Sequence, residues 1–97
     1  MALTIEWKAD AEAQLDHTLH YYLTNLGQGT AKKLYQTIVE RLDTISRYPE
    51  SGTSVSDYKS IRYARIRKSH YLYYTFDDST LLVIGLFGTK QGDNPYS

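Results

Sequence analysis

Leu15-Asp16-His17-Thr18-Leu19-His20-Tyr21-Tyr22-Leu23-Thr24-Asn25-Leu26-Gly27-Gln28-Gly29-Thr30-Ala31 decides the fold. From Ala11 onward the apolar residues Leu15, Leu19, Tyr22 and Leu26 fall four, three and four apart, which stacks them on one face of a helix. Asp10 and Glu12 sit in the first turn, where negative charge complements the helix dipole. Gly27-Gln28-Gly29 breaks this helix. The same spacing then resumes through Ala31, Leu34 or Tyr35, Ile38, Leu42 and Ile45 as far as Tyr48. Pro49 ends the second helix, because a residue before proline is pushed out of the α region. Two helices joined by so short a link must fold back as an antiparallel hairpin.

On the N-terminal side, Leu3, Ile5 and Trp7 alternate with Thr4 and Glu6, the period of a half-buried strand. On the C-terminal side, Glu50 to Asp57 is small, polar and unperiodic and reads as a surface loop. Strand signals follow at Ile61 to Lys68, His70 to Phe76 and Leu81 to Phe87. Asp77-Asp78-Ser79-Thr80 is turn chemistry that makes the last two a hairpin, with the acids serving backbone capping. The expected class is α+β, order β-α-α-β-β-β, with the two-helix hairpin on one face of a small, mostly antiparallel sheet. The tail from Lys90 to Ser97 is expected to be ordered or partly ordered beyond the last strand.

Composition narrows the function. Ninety-seven residues fit one domain, since a chain of this size buries roughly 60 to 70% of its unfolded surface and supports a single core. With 41% hydrophobic and 23% charged residues the chain is globular rather than disordered. The absence of cysteine excludes disulfides, thiolate zinc sites and cysteine nucleophiles. The first residues lack the basic start and apolar run of a signal peptide, and the seven-residue run Leu81 to Phe87 is far short of the about twenty needed to cross a bilayer, so a cytoplasmic protein without membrane association is expected. Eleven basic residues balance eleven acidic ones, which argues against a grip on many phosphates. The halves differ: residues 1–50 hold five Lys/Arg and seven Asp/Glu, net −2, and residues 51–97 hold six and four, net +2.

Few residues carry chemistry. His17 and His20 lie three apart on the first helix, but no third ligand sits at motif spacing, so no metal and no cofactor is expected. Gly27 to Lys32 lacks the spacing of a phosphate loop and follows a helix rather than a strand. Lys59 to His70 is the one concentrated feature, with five basic side chains, no acid and interleaved tyrosine. Arginine forks suit phosphates or carboxylates, and tyrosine faces suit bases. Alternate strand residues point to opposite faces, so Arg62 and Lys68 cannot share a face with Arg65 and Arg67 without a bulge; about half of these charges would then solvate the sheet's outer face.

Four pieces taken in order resemble the RelE/ParE family of bacterial toxins from type II toxin–antitoxin modules. They are Ile5-Glu6-Trp7 leading into Ala11 and Leu15; Gly27 with Ala31; Tyr48-Pro49-Glu50-Ser51-Gly52; and Ile61-Arg62 through His70-Tyr71-Leu72-Tyr73-Tyr74 to Leu86-Phe87-Gly88-Thr89-Lys90-Gln91. The resemblance covers nearly the whole chain. It implies a helical hairpin on a small sheet, a cognate antitoxin, and a toxin–antitoxin complex that can be of higher order.

Two mechanisms compete within that family. ParE-like members poison DNA gyrase, and RelE-like members cut messenger RNA in the ribosome. The long helical hairpin and the Phe-x-Thr-basic-Gln ending are more similar to the ParE side, although Lys90 stands where similar members have arginine, and Gly92-Asp93 separates Gln91 from Asn94-Pro95. On this reading no residue is catalytic, and Arg62, Arg65, Arg67, His70, Tyr71, Lys90 and Pro95 contact the target or the antitoxin. On the ribonuclease alternative the resemblance implies Arg65, Lys68, His70, Lys90 and Tyr96, with Tyr71 standing where RelE-like toxins place an arginine. A third alternative is a degenerate toxin that acts only by binding an antitoxin.

Overall fold

Gly27 alone separates the two helices. The computed structural model describes residues 2–90, 92 and 94–96, and in it α1 spans Ala9–Leu26 and α2 spans Gln28–Arg47. Gly27 has φ 94°, a backbone region that side chains disfavour, so one residue reverses the chain and Gln28 and Gly29 are already helical. The expected break of three residues is thus shorter, because glycine makes the whole reversal. Tyr48 lies just past α2, and a single 3₁₀ turn, Pro49–Ser51, follows.

The strands are β1 (Thr4–Trp7), β2 (Thr53–Val55), β3 (Tyr58–Ile66), β4 (His70–Phe76) and β5 (Thr80–Gly88), in the sheet order β1-β5-β4-β3-β2. β1 runs parallel to β5 and every other pairing is antiparallel. The strand β2 corrects the reading of residues 50–57 as a surface loop. Val55 supplies the only apolar side chain of that strand and buries it on the sheet's outer face, too short a signal to show periodicity. At the β4–β5 turn the Asp77 Oδ1 accepts the Ser79 and Thr80 amides at 2.9 and 2.8 Å, the capping role expected of it.

Between helices and sheet lies the main core: Ala11 from α1, Leu34, Ile38, Leu42 and Ile45 from α2, and Ala64, Ile66, Leu72, Tyr74, Leu81, Val83 and Leu86 from the strands. Each such Leu or Ile contributes roughly 1.5–3 kcal/mol by leaving water. Helix α1 is seated differently from its spacing. Only Ala11 is fully buried in it, and Leu26 is 53% exposed although its position continues the apolar stripe. The hairpin tip therefore overhangs the sheet. No helix among the described residues is long and apolar enough to cross a membrane.

The outer face of the sheet carries a second cluster, with Val55, Tyr73 and Phe87 buried and Ile61, Tyr63, Tyr71, Ile84 and Tyr96 packed around them. This corrects the expectation of a solvated, charged outer face: aromatic rings cover it. The tail closes it. Tyr96 packs on Tyr73 at 4.6 Å between ring centroids, and the buried Asn94 donates from Nδ2 to the Tyr73 hydroxyl at 3.0 Å. Gln91, Asp93 and Ser97, which belong to the expected tail, lie outside the described residues.

Candidate functional site

The overhang of the hairpin leaves a groove of about 1110 Å³ between the helices and the far ends of β3, β4 and β5. Its floor is apolar, built from Tyr21, Tyr22 and Leu26 of α1 and Leu34 of α2. Its rim is cationic, with Arg67 and Lys68 from the β3–β4 turn and Lys90 from the end of β5. Among the described residues no carboxylate lines it.

Local bonding fixes that rim. Arg67 has φ 55°, an uncommon conformation for a residue with a side chain, and turns the chain between Ile66 and His70. The Thr89 amide donates to the Ser69 carbonyl at 2.8 Å and the Thr89 hydroxyl to the Lys68 carbonyl at 3.2 Å, so the end of β5 is tied to the turn. His70 is buried beneath the rim. Its Nδ1 lies 2.8 Å from the Ser69 Oγ and its ring is 5.9 Å from that of Tyr22. Burial pushes its pKa below the ordinary value, so the ring is a neutral wall of the groove near pH 7.

The remaining basic residues of the stripe lie elsewhere. Arg62 donates from Nη1 to the carbonyls of Gly52 and Glu50 at 2.8 and 3.2 Å, holding the 3₁₀ turn and β2 to β3. Arg65 is exposed on the outer face with its guanidinium carbon 5.7 Å from the centre of the Tyr71 ring. Pro95 is exposed, whereas Tyr96 is packed in the aromatic cluster. The expected site residues are thus divided three ways: Arg67, Lys68, His70 and Lys90 in the groove, Arg65 and Tyr71 on the opposite face, and Arg62 in a structural brace.

A second, smaller cleft of about 270 Å³ opens beside Arg65, lined also by Arg41 of α2, Ser51 to Thr53, Tyr63 and Tyr71. Neither Arg41 nor the α1 floor of the groove stands out in the sequence. The helical spacing assigns Tyr22 and Leu26 to the core, and only the overhang makes them walls. Among the described residues no cluster of His, Asp and Glu suits a metal ion.

The chain belongs to the family described as ParE toxin of type II toxin-antitoxin system, parDE, whose model matches residues 5–91. Solved structures agree on the fold. A chain of the chromosomal ParDE TA system from P. aeruginosa is 18% identical, with TM-score 0.76, covering 92% of this chain and 98% of that one. The YoeB/ParE toxin from Agrobacterium tumefaciens is 15% identical, with TM-score 0.68 and coverages of 89% and 98%. The YoeB dimer from Staphylococcus aureus is 23% identical, with TM-score 0.64 and coverages of 88% and 94%. No curated protein matches the chain.

Proposed function

We propose that this ParE-family toxin acts in the cytoplasm as a stoichiometric inhibitor of DNA gyrase and is neutralised by a cognate antitoxin. The observation that carries this choice over messenger RNA cleavage is the division of the basic segment. Moving a proton and stabilising a pentavalent phosphate requires several groups around one phosphorus atom. Lys68, His70 and Lys90 line the groove on the helical side, while Arg65 and Tyr96 belong to the opposite face. These five do not surround a common point, and Tyr71 places a ring where the nuclease reading wants a cation.

Binding suits the same geometry better. An apolar floor ringed by Arg67, Lys68 and Lys90 complements an amphipathic antitoxin segment carrying carboxylates, and the cationic rim would steer its approach. Lys90 and Pro95, both exposed, are the tail residues that we assign to gyrase contact.

The test is induction of the protein without its antitoxin, with DNA synthesis, supercoiling and translation followed separately, beside a supercoiling assay with purified gyrase. Loss of supercoiling with translation intact is expected. Cleaved transcripts and arrested translation with normal supercoiling would overturn the gyrase reading in favour of ribosome-dependent cleavage. Unimpaired growth with soluble protein would leave only the antitoxin-binding module.

A further inference from the structure

Apolar side chains left exposed by the two helices gather along one crest of the hairpin. Leu23 is 51% exposed, Tyr35 48% and Val39 47%. The Gln14 side chain of α1 turns to the edge of β5, away from α2, and Asp16 and Leu23 stand about half a turn round the helix from it, at about 100° per residue. On α2, Arg41 turns toward β2 and β3, and Lys32, Tyr35 and Val39 stand about a third to a half of a turn from it. These five exposed residues therefore face the seam between the helices, on the side away from the sheet.

The pattern along this crest is complementary to itself. Gly27 reverses the chain, so a residue's distance from Gly27 in sequence sets its level on either helix. Leu23 lies four residues from Gly27, Lys32 five, Tyr35 eight, Asp16 eleven and Val39 twelve. About the level of Tyr35, Leu23 and Val39 are placed symmetrically, and so are the cation Lys32 and the anion Asp16. Neither of these charges joins an ion pair among the described residues; Asp43, farther along, is already held by Arg47 at 3.3 Å.

We propose that this crest is the interface of a homodimer, in which a second copy of the chain lies antiparallel across it. A two-fold axis crossing the hairpin at Tyr35 sets the two Tyr35 rings together. It also brings Leu23 of each copy to the level of Val39 of the other, and Lys32 of each to the level of Asp16 of the other. Closed two-fold contacts use one patch twice and so demand this self-complementarity, which a partner of different sequence does not. Helices of 18 and 20 residues extend about 30 Å and a pair of them is about 20 Å wide, so the contact buries on the order of 1,000 Å² counting both copies, the low end for a specific interface. A reversible dimer with a micromolar dissociation constant is expected. The groove opens on the other side of α1, at Tyr21 and Tyr22, so the proposal is independent of antitoxin binding there and of gyrase inhibition.

The experiment is sedimentation equilibrium of the full chain from about 10 μM to about 1 mM, a range that brackets such a constant. Every variant alters an exposed residue, and circular dichroism confirms its fold. Tyr35→Glu places two carboxylates together at the axis and should weaken the dimer about a hundredfold or more. Lys32→Glu and Asp16→Lys should each weaken it about tenfold, because the two-fold repeats each repulsion, and the double variant should restore it. Tyr48→Glu, at an apolar residue 66% exposed outside the crest, should leave it unchanged. A monomer at every concentration, whether or not an antitoxin covers the crest, would overturn the proposal. So would a dimer that survives Tyr35→Glu, one that Tyr48→Glu dissociates instead, or a charge exchange that restores nothing.

Discussion

The Tyr74 hydroxyl occupies the space that a side chain on Gly52 would need. It accepts the Gly52 amide at 3.0 Å and donates to the Pro49 carbonyl at 2.7 Å, and a Cβ on Gly52 would overlap the hydroxyl oxygen and stand 2.9 Å from the ring atoms Cε1 and Cζ. One buried ring thus carries the chain from α2 into β2. Gly52→Ala should cost about 1–3 kcal/mol through overpacking, and Tyr74→Phe a similar amount by leaving an amide and a carbonyl unpaired. Urea unfolding of each variant checks both.

Gln14 stands in for a missing strand. β1 ends at Trp7 opposite Val83, and farther along the same edge of β5 the Leu86 amide donates to the Gln14 Oε1 at 2.9 Å. Gln14→Leu would strand a part-buried amide. A loss of about 1–3 kcal/mol is expected, or a melting temperature lower by roughly 4–8 °C per kcal/mol, measured by thermal denaturation.

Arg62 and Arg65 are three residues apart and should behave oppositely. Arg62→Ala removes two hydrogen bonds to carbonyls and should destabilise by about 1–2 kcal/mol. Arg65→Ala removes an exposed cation above a ring and should change stability by less than about 1 kcal/mol. Paired unfolding curves distinguish them.

Stability should fall as pH drops below 6.5, because burial holds the folded-state pKa of His70 below its unfolded value of 6.5 and the unfolded chain therefore takes up the proton first. Its contribution is complete above 6.5 and is lost as pH falls through the folded pKa. Arg67, Lys68, Lys90 and His17 line the same groove, Tyr22 packs on the ring, and among the described residues no carboxylate lines the groove to oppose the trend. His70→Gln should flatten the slope of stability against pH in this window. At the alkaline end the sign reverses: burial raises the pKa of Tyr73 and Tyr74 above 10.0, so the stability they lend is complete below 10.0 and lost as pH climbs through the raised values.

Antitoxin affinity offers a separate check on the groove. Lys68→Glu reverses a rim charge and should weaken the complex about tenfold or more, chiefly at low salt, whereas Lys33→Glu on exposed α2 surface outside the groove should leave it nearly unchanged. Salt-dependent binding measurements on the purified pair test this.

Element order was legible because periodicity reports which face a residue presents to its own element's partner. The four buried apolar residues of α2, Leu34, Ile38, Leu42 and Ile45, follow the spacing, and β4 is bounded as its composition indicates. Periodicity is silent about how far one element extends past another, so Leu26 reads as core while standing at an open groove. It is equally silent about a strand with a single buried side chain, as at Val55. The basic run looked continuous because sequence is linear; a sharp turn at Arg67 and the commitment of Arg62 to carbonyls send its members to different surfaces. The covering of the outer face by Tyr96 and Asn94 depends on contacts across more than twenty positions, which no local pattern encodes.

The parallel pairing of β1 with β5 bears on how the chain is made. β5 lies between β1 and β4 and is the last of the five described strands to be synthesised, so β1, the first, waits for it until both helices and the other three strands have been made. The helical hairpin, whose contacts are local, can form early, but its apolar face has only part of its floor until Gly88 has left the ribosome. Lys90 and the β3–β4 turn are brought together only at that moment. The order of manufacture therefore delays the completed groove until β5 and Lys90 have both been made.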